Sequence, residues 1–167
     1  IGFGMGDTTF KMAQEMPDSN FLAVEVHSPG VGSLLNKINL SQLENLKIIQ
    51  HDAIEVMNEM IPNKSLDGIH IFFPDPWPKK KHHKRRLLKN SFLKLMETKL
   101  SQSGYIHIAT DWEAYALEII TLVGESKSYK ILKRDFNVKP QSRPLTKYEN
   151  RGLRLGHQVW DIIITLR

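Results

Sequence analysis

The chain has no cysteine in its 167 residues. That excludes disulfides and thiolate zinc sites and is compatible with a cytoplasmic home. No stretch approaches the roughly 20 consecutive apolar residues that a membrane-spanning helix needs, so no membrane partner is expected. Internal repeats are absent, and so are low-complexity tracts beyond one basic run. The chain opens without a methionine or a signal-peptide pattern, and Ile1-Gly2-Phe3-Gly4 reads as a strand end running into its turn. The expectation is that the natural N-terminus, with most of a first strand, lies upstream.

What is present is an ordinary globular composition, 41% apolar and 25% charged, of a length that suits a single domain over residues 1–167. Net charge is +5, and it is clustered: seven of the eleven residues from Lys79 to Lys89 are Lys or Arg. Such a run points to a polyanionic partner. Immediately before it stands Phe73-Pro74-Asp75-Pro76-Trp77-Pro78, at the end of the apolar run Gly68 to Phe73. The run reads as a buried strand, and the prolines fix their own φ and stop it from continuing. Asp75 is thereby expected in a stiff loop at a strand's C-terminal end, where open α/β sheets bind ligands. A carboxylate there, beside a polycationic loop, suggests a site that takes a base from a nucleic acid.

Strand and helix patterns alternate along the chain. Helices are predicted at about 7–16, 30–40, 53–60, 85–100 and 113–123, the first with Asp7 available as its cap. Strands are predicted at 21–26, 46–50, 67–73, 105–110, 129–136 and 159–166, with a polar loop over 137–157. The alternation argues for a doubly wound, mostly parallel sheet, and the last two strands for an antiparallel hairpin at one edge.

Gly2, Gly4 and Gly6 lie between a strand end and a helix start, where glycine lets the backbone turn tightly and approach a ligand. The spacing departs from the dinucleotide fingerprint, which wants a small residue at Asp7. Such a turn is the form favoured by S-adenosylmethionine binders. Glu25 closes the second strand and suits a carboxylate accepting ribose hydroxyls; Asp52 closes the third and could accept from an adenine amino group or cap the next helix. Asp75 and Asp111 end the two strands after that, so four acids would line one rim of the sheet.

With these residues in view, the chain resembles the bacterial tRNA (guanine-N7-)-methyltransferases from Gly2 to its end. The resemblance is carried by Ile1 to Gly6, Glu25 to Gly32, Phe72 to Trp77, His82 to Arg86 and Ala109 to Glu113. It continues in Ser142-Arg143-Pro144, Thr146-Lys147-Tyr148-Glu149, and Arg151-Gly152 to Trp160-Asp161. It implies a Rossmann-like class I methyltransferase fold with the first strand largely missing. The implied activity is methyl transfer from S-adenosylmethionine to guanine N7 in the variable loop of tRNA. It implies cofactor roles for Gly2, Gly4, Gly6, Glu25, Asp52 and Asp75, with Asp75 also catalytic. Substrate contacts are implied for Lys79, Asp111, Thr146, Lys147, Tyr148 and Glu149.

Lys80, Lys81, Lys84, Arg85 and Arg86 are expected along the RNA backbone, and Trp77 either stacks on a base or closes the loop on the sheet. No metal is expected, since His82-His83 are neighbours that diverge. Two departures stand out. The family's cofactor-binding acid falls just before Ile1, and Lys81 replaces a common Arg, which keeps charge but loses a bidentate phosphate grip. The competing expectation is a non-catalytic RNA-binding module on a degenerate methyltransferase fold. Monomer and homodimer both stay open.

Overall fold

Six strands and five α-helices follow one another in a computed structural model that describes residues 1–136, 143–146, 149–150, 154, 156 and 158–167. In chain order they are α1 (Asp7–Glu15), β1 (Phe21–Glu25), α2 (Ser28–Ser41), β2 (Leu46–Gln50), α3 (Ala53–Glu59) and β3 (Leu66–Phe72). After a 3-10 helix (Lys80–Arg85) come α4 (Asn90–Lys99), β4 (Leu100–Thr110), α5 (Glu113–Glu125), β5 (Tyr129–Phe136) and β6 (Trp160–Leu166). The predicted alternation holds, with three shifts: β4 begins at Leu100 rather than Tyr105. Helix α4 starts at Asn90 rather than Arg85, and the basic run expected as loop is itself a 3-10 helix with no buried residue. Asp7 is not a cap: Gly6 occupies that position, with φ 79°, and Asp7 is the first helical residue.

Strands β1 and β2 pair in parallel, and a second sheet runs β3-β4-β6-β5. β3 is parallel to β4, whereas β6 is antiparallel to both β4 and β5. The mostly parallel arrangement with an antiparallel terminal hairpin is therefore present. The Ile1–Gly2 segment lies between the sheets: the Gly2 N–H donates to Val24 O at 2.8 Å and the Ile1 amine to His70 O at 2.8 Å. The carboxyl ends of β1 and β3 are thereby brought side by side.

The core follows the β-branched runs. Ile106 and Ile108 on β4, and Ile162 and Ile164 on β6, are fully buried, while the intervening Ile163 is partly exposed, as the period-2 pleat demands. Helices α4 and α5 cover them with Phe92, Leu93, Met96, Tyr115, Ile119 and Val123. Full burial of each such side chain contributes about 1.5–3 kcal/mol. A smaller cluster of Ala13, Ala23, Leu34 and Leu46 holds α1 and α2 to β1 and β2. These two cores fix the strand ends on which the polar residues sit.

Candidate functional site

The glycine turn is built as its spacing requires. Gly2, Gly4 and Gly6 have φ of 67°, 58° and 79°, the left-handed region that side chains resist. Nothing lies within 4 Å of where a Cβ at Gly2 or Gly4 would stand, so the turn faces open space. Behind it the packing is tight: a Cβ at Gly30, in the first turn of α2, would lie 2.0 Å from Gly4 O.

Glu25 sits against this turn. Its Oε2 accepts from Gly4 N at 2.9 Å, and its Oε1 accepts from Val26 N at 2.7 Å and His27 N at 3.0 Å. Three backbone donors fix the carboxylate rigidly and leave about one of its four lone-pair sites, on Oε2, for a ligand. Asp52 takes the capping role. Its Oδ1 accepts from Ile54 N at 2.8 Å and Glu55 N at 3.2 Å at the start of α3, and the residue is exposed.

Asp75 is exposed and, among the described residues, has no hydrogen-bond or ion-pair partner. The loop carrying it is strained. Phe73 and Trp77 have φ of 52° and 44°, although neither is glycine, and such residues cost on the order of 1–3 kcal/mol each. Strain of this kind persists only where the surroundings over-determine it. The Phe73 N–H donates to Ala109 O at 2.7 Å, which extends the β3–β4 ladder by one rung before the chain turns out.

Lys79, Lys80, Lys81, Lys84 and Arg85 are all exposed, on or next to the 3-10 helix. Trp77 is half-buried against that helix, its ring 4.9 Å from the Arg85 guanidinium and edge-on to His82 at 5.8 Å. It is neither a core indole nor a free stacking platform. Arg86 corrects an expectation outright. Expected on the RNA backbone, it is 2% exposed, because its guanidinium is drawn inward by Glu118, Tyr115 and the Pro76 carbonyl.

Asp111 follows β4 and is partly buried. Lys147 and Tyr148, expected against the substrate, lie outside the described residues. Thr146 and Glu149 are described, and both are buried. The Thr146 hydroxyl accepts from Glu149 N at 3.0 Å and Glu149 Oε2 accepts from Thr146 N at 3.4 Å, a reciprocal capping box. Glu149 also takes Arg143: Nη1 and Nη2 donate to its two oxygens at 2.6 and 2.9 Å. The expectation of direct substrate contact meets side chains already committed to each other and to Arg143.

Arg143 itself is fully buried and was not foreseen as a site residue. It grips Asp161 on β6 through Nε and Nη2, both at 2.8 Å, and its guanidinium lies 5.7 and 5.6 Å from the Phe72 and Phe73 rings. His107 Nε2 is 2.6 Å from the same Asp161. Burial opposes a charge on Asp161, but the hydrogen bonds and charges of His107 and Arg143 outweigh it and hold the carboxyl below its usual 3.8. His70, stacked on Phe72, is lowered too, which for a base favours the neutral form: burial, then its Coulombic interaction with His107, bring its pKa to about 4. It is therefore neutral near pH 7, within 2.9 Å of the Tyr105 hydroxyl. Among the described residues no group of three or more His, Asp or Glu is arranged to hold a metal. Among them, too, no helix is long and apolar enough to cross a membrane.

Comparison with known proteins gives this geometry its context. A family described as "Putative methyltransferase" matches residues 1–162. A tRNA (guanine-N(7)-)-methyltransferase of Methylobacillus flagellatus is 55% identical over 98% of this chain, which spans 68% of that relative's length. Among solved structures, precorrin-6y C5,15-methyltransferase from Geobacter metallireducens superposes with a TM-score of 0.65 at 13% identity, covering 98% of this chain and 75% of that one. An S-adenosylmethionine-dependent methyltransferase from Aquifex aeolicus gives 0.63 at 12% identity, covering 97% and 78%. At such identities the two structures speak to the fold alone, and the fold they share with this chain is the class I methyltransferase fold.

Proposed function

The chain belongs to the tRNA (guanine-N7-)-methyltransferase family, and from that premise we propose that it methylates N7 of a guanosine in the variable loop of tRNA. The observation that carries the reading is Asp75: an exposed carboxylate, unpartnered among the described residues, in a strained loop that runs from the end of β3 into a helix of cations. S-adenosylmethionine would supply a methyl already activated by its sulfonium. The open glycine turn leaves room for it, and the rigid Glu25 carboxylate and exposed Asp52 are acceptors suited to its ribose hydroxyls and adenine amino group.

Guanine N7 carries an exposed lone pair and no proton, so no general base is required. The protein's task is placement and electrostatics. Asp75 accepts from guanine N1–H and the exocyclic amino group, an edge that adenine does not offer, and this leaves N7 free on the opposite side of the base. Its negative charge also complements the positive charge that develops on the purine. Reaching N7 in folded tRNA calls for extrusion of the base, with Lys79 to Arg85 holding the backbone around it, and tRNA as substrate goes with a cytoplasmic location. In this reading Lys79 and Asp111 meet the substrate beside the same loop, and Thr146 and Glu149 shape the pocket through Arg143, whose guanidinium lies 5.6 Å from the Phe73 ring.

The deciding experiment incubates the protein with unmodified tRNA transcript and methyl-labelled S-adenosylmethionine, followed by nucleoside mass spectrometry. The expected product is 7-methylguanosine at one variable-loop position. Asp75→Asn is expected to lower turnover by on the order of a hundredfold or more while cofactor binding, followed by calorimetry, survives. Near-normal turnover of that variant would remove Asp75 from the mechanism.

A further inference from the structure

Arg86 ends the basic run, and in the sequence it is indistinguishable from the exposed cations before it. A guanidinium keeps its charge under all conditions met by a protein, so a buried one needs partners that offset its desolvation. Here Nε donates to the Pro76 carbonyl at 2.8 Å, Nη1 is paired with Glu118 on α5, and Cζ lies over the ring of Tyr115, also on α5, 4.7 Å from its centroid. Tyr115 is fixed in turn by the Leu88 N–H, which donates to its hydroxyl at 3.2 Å.

Ring contacts hold the Phe73 and Trp77 ends of the Asp75 loop, but hydrogen bonds to it are few. Residues 74, 76 and 78 are prolines and have no N–H to give. Among the described residues, 73–78 make two hydrogen bonds: Phe73 N to Ala109 O at the start, and the Pro76 carbonyl with Arg86 in the middle. Asp75 stands between these two tethers, and the left-handed Trp77 follows the second.

We propose that Arg86 is a positioning residue: it clamps Pro76 to α5 and so aims the Asp75 carboxylate, instead of binding RNA phosphate. This rests on the reading of Asp75 given above. The residue also joins the basic helix to the loop, since its backbone N–H closes that helix on His83 O at 3.0 Å while its side chain holds Pro76.

The test compares Arg86→Gln and Arg86→Lys with the unaltered protein in three measurements: kcat and KM for tRNA, tRNA affinity across a salt series, and the rate of trypsin nicking within 79–85. For Arg86→Gln we expect kcat to fall on the order of a hundredfold, the cost of a misaimed reacting group. The salt slope should be unchanged and nicking accelerated. Arg86→Lys keeps the charge but has a single nitrogen, which reaches Pro76 or Glu118 and not both, so its kcat should be intermediate. A salt slope lowered by about 0.7–0.9, with normal kcat at saturating tRNA, would make Arg86 a phosphate ligand and overturn the proposal.

Should Arg86→Gln not fold, Glu118→Gln carries the test, because Glu118 is the half-exposed partner. It is expected to lower kcat with KM for tRNA unmoved, and an unchanged kcat would overturn the proposal. If the unaltered protein transfers no methyl to tRNA, the proposed function fails. The nicking rates still decide whether Arg86 holds the loop.

Discussion

Two groups of charge flank the Asp75 loop, and they obey opposite rules. On one side the 3-10 helix presents Lys80, Lys81, Lys84 and Arg85 to solvent, with no buried residue and no carboxylate partner among the described residues. On the other, Arg143, Glu149, Asp161 and His107 are sealed from solvent and satisfy one another at 2.6–2.9 Å. Exposed cations are screened within about 8–10 Å at ordinary ionic strength and contribute little to folding, so they are free to meet a polyanion. Buried charges cannot be left alone, and they hold geometry. The same residue types thus serve association on one side of the loop and aim on the other. Arg86 belongs by sequence to the first group and by environment to the second.

The comparison breaks most visibly at Arg143. Replacing it by Met strips buried Glu149 of its countercharge and leaves Asp161 with His107 alone, and breaking a buried pair in this way costs about 3–5 kcal/mol. We expect the urea midpoint to fall by a large fraction of the total, with m nearly constant. A loss below about 1 kcal/mol would mean that the cluster is not the keystone its geometry suggests.

Acid provides the next break. The folded pKa of His70 is depressed to about 4 from 6.5, so the unfolded chain binds a proton that the native state refuses. Stability should therefore decline as pH falls from about 6.5 toward 4, and His70→Gln should flatten that window. Asp161 acts below it: its folded pKa is also depressed, so its contribution is full above the unfolded value of 3.8 and is lost as pH drops through the lower folded value. Urea midpoints from pH 3 to 8 would separate the two windows.

Lys80→Gln and Lys84→Gln should produce the smallest structural effect. Each is expected to change folding stability by less than about 0.5 kcal/mol, yet each should lower the slope of log affinity for tRNA against log salt by about 0.7–0.9. A substantial fall in the thermal midpoint would move either residue into the other group.

Most of the fold was legible because its strands are β-branched runs of the right length between turn residues, as in Gly68 to Phe73 and Val159 to Leu166. The strand ends were legible too: Glu25 closes β1, and Asp52, Asp75 and Asp111 come just after β2, β3 and β4. Burial of charge was not. Nothing in Lys84-Arg85-Arg86 marks the third as the one that turns inward, because the cause is Glu118 and Tyr115, some 30 residues away. His107 and Asp161 are 54 residues apart and meet only because β6 inserts next to β4. One signal was available and carried a second meaning: Thr146 followed three residues later by Glu149 is the capping-box pattern, and both side chains are used in that way.

Gly30 has a further consequence. It lies in α2, touches no ligand position and has an ordinary φ, yet a methyl there would stand 2.0 Å from the Gly4 carbonyl oxygen. The position is a one-carbon gauge. Any side chain must push the glycine turn outward, into the space where the adenosine would lie. Gly30→Ala should therefore behave as a built-in competitor, raising the apparent dissociation constant of the cofactor while tRNA affinity stays level. A residue with no side chain at all would then govern how much of the cofactor's site exists.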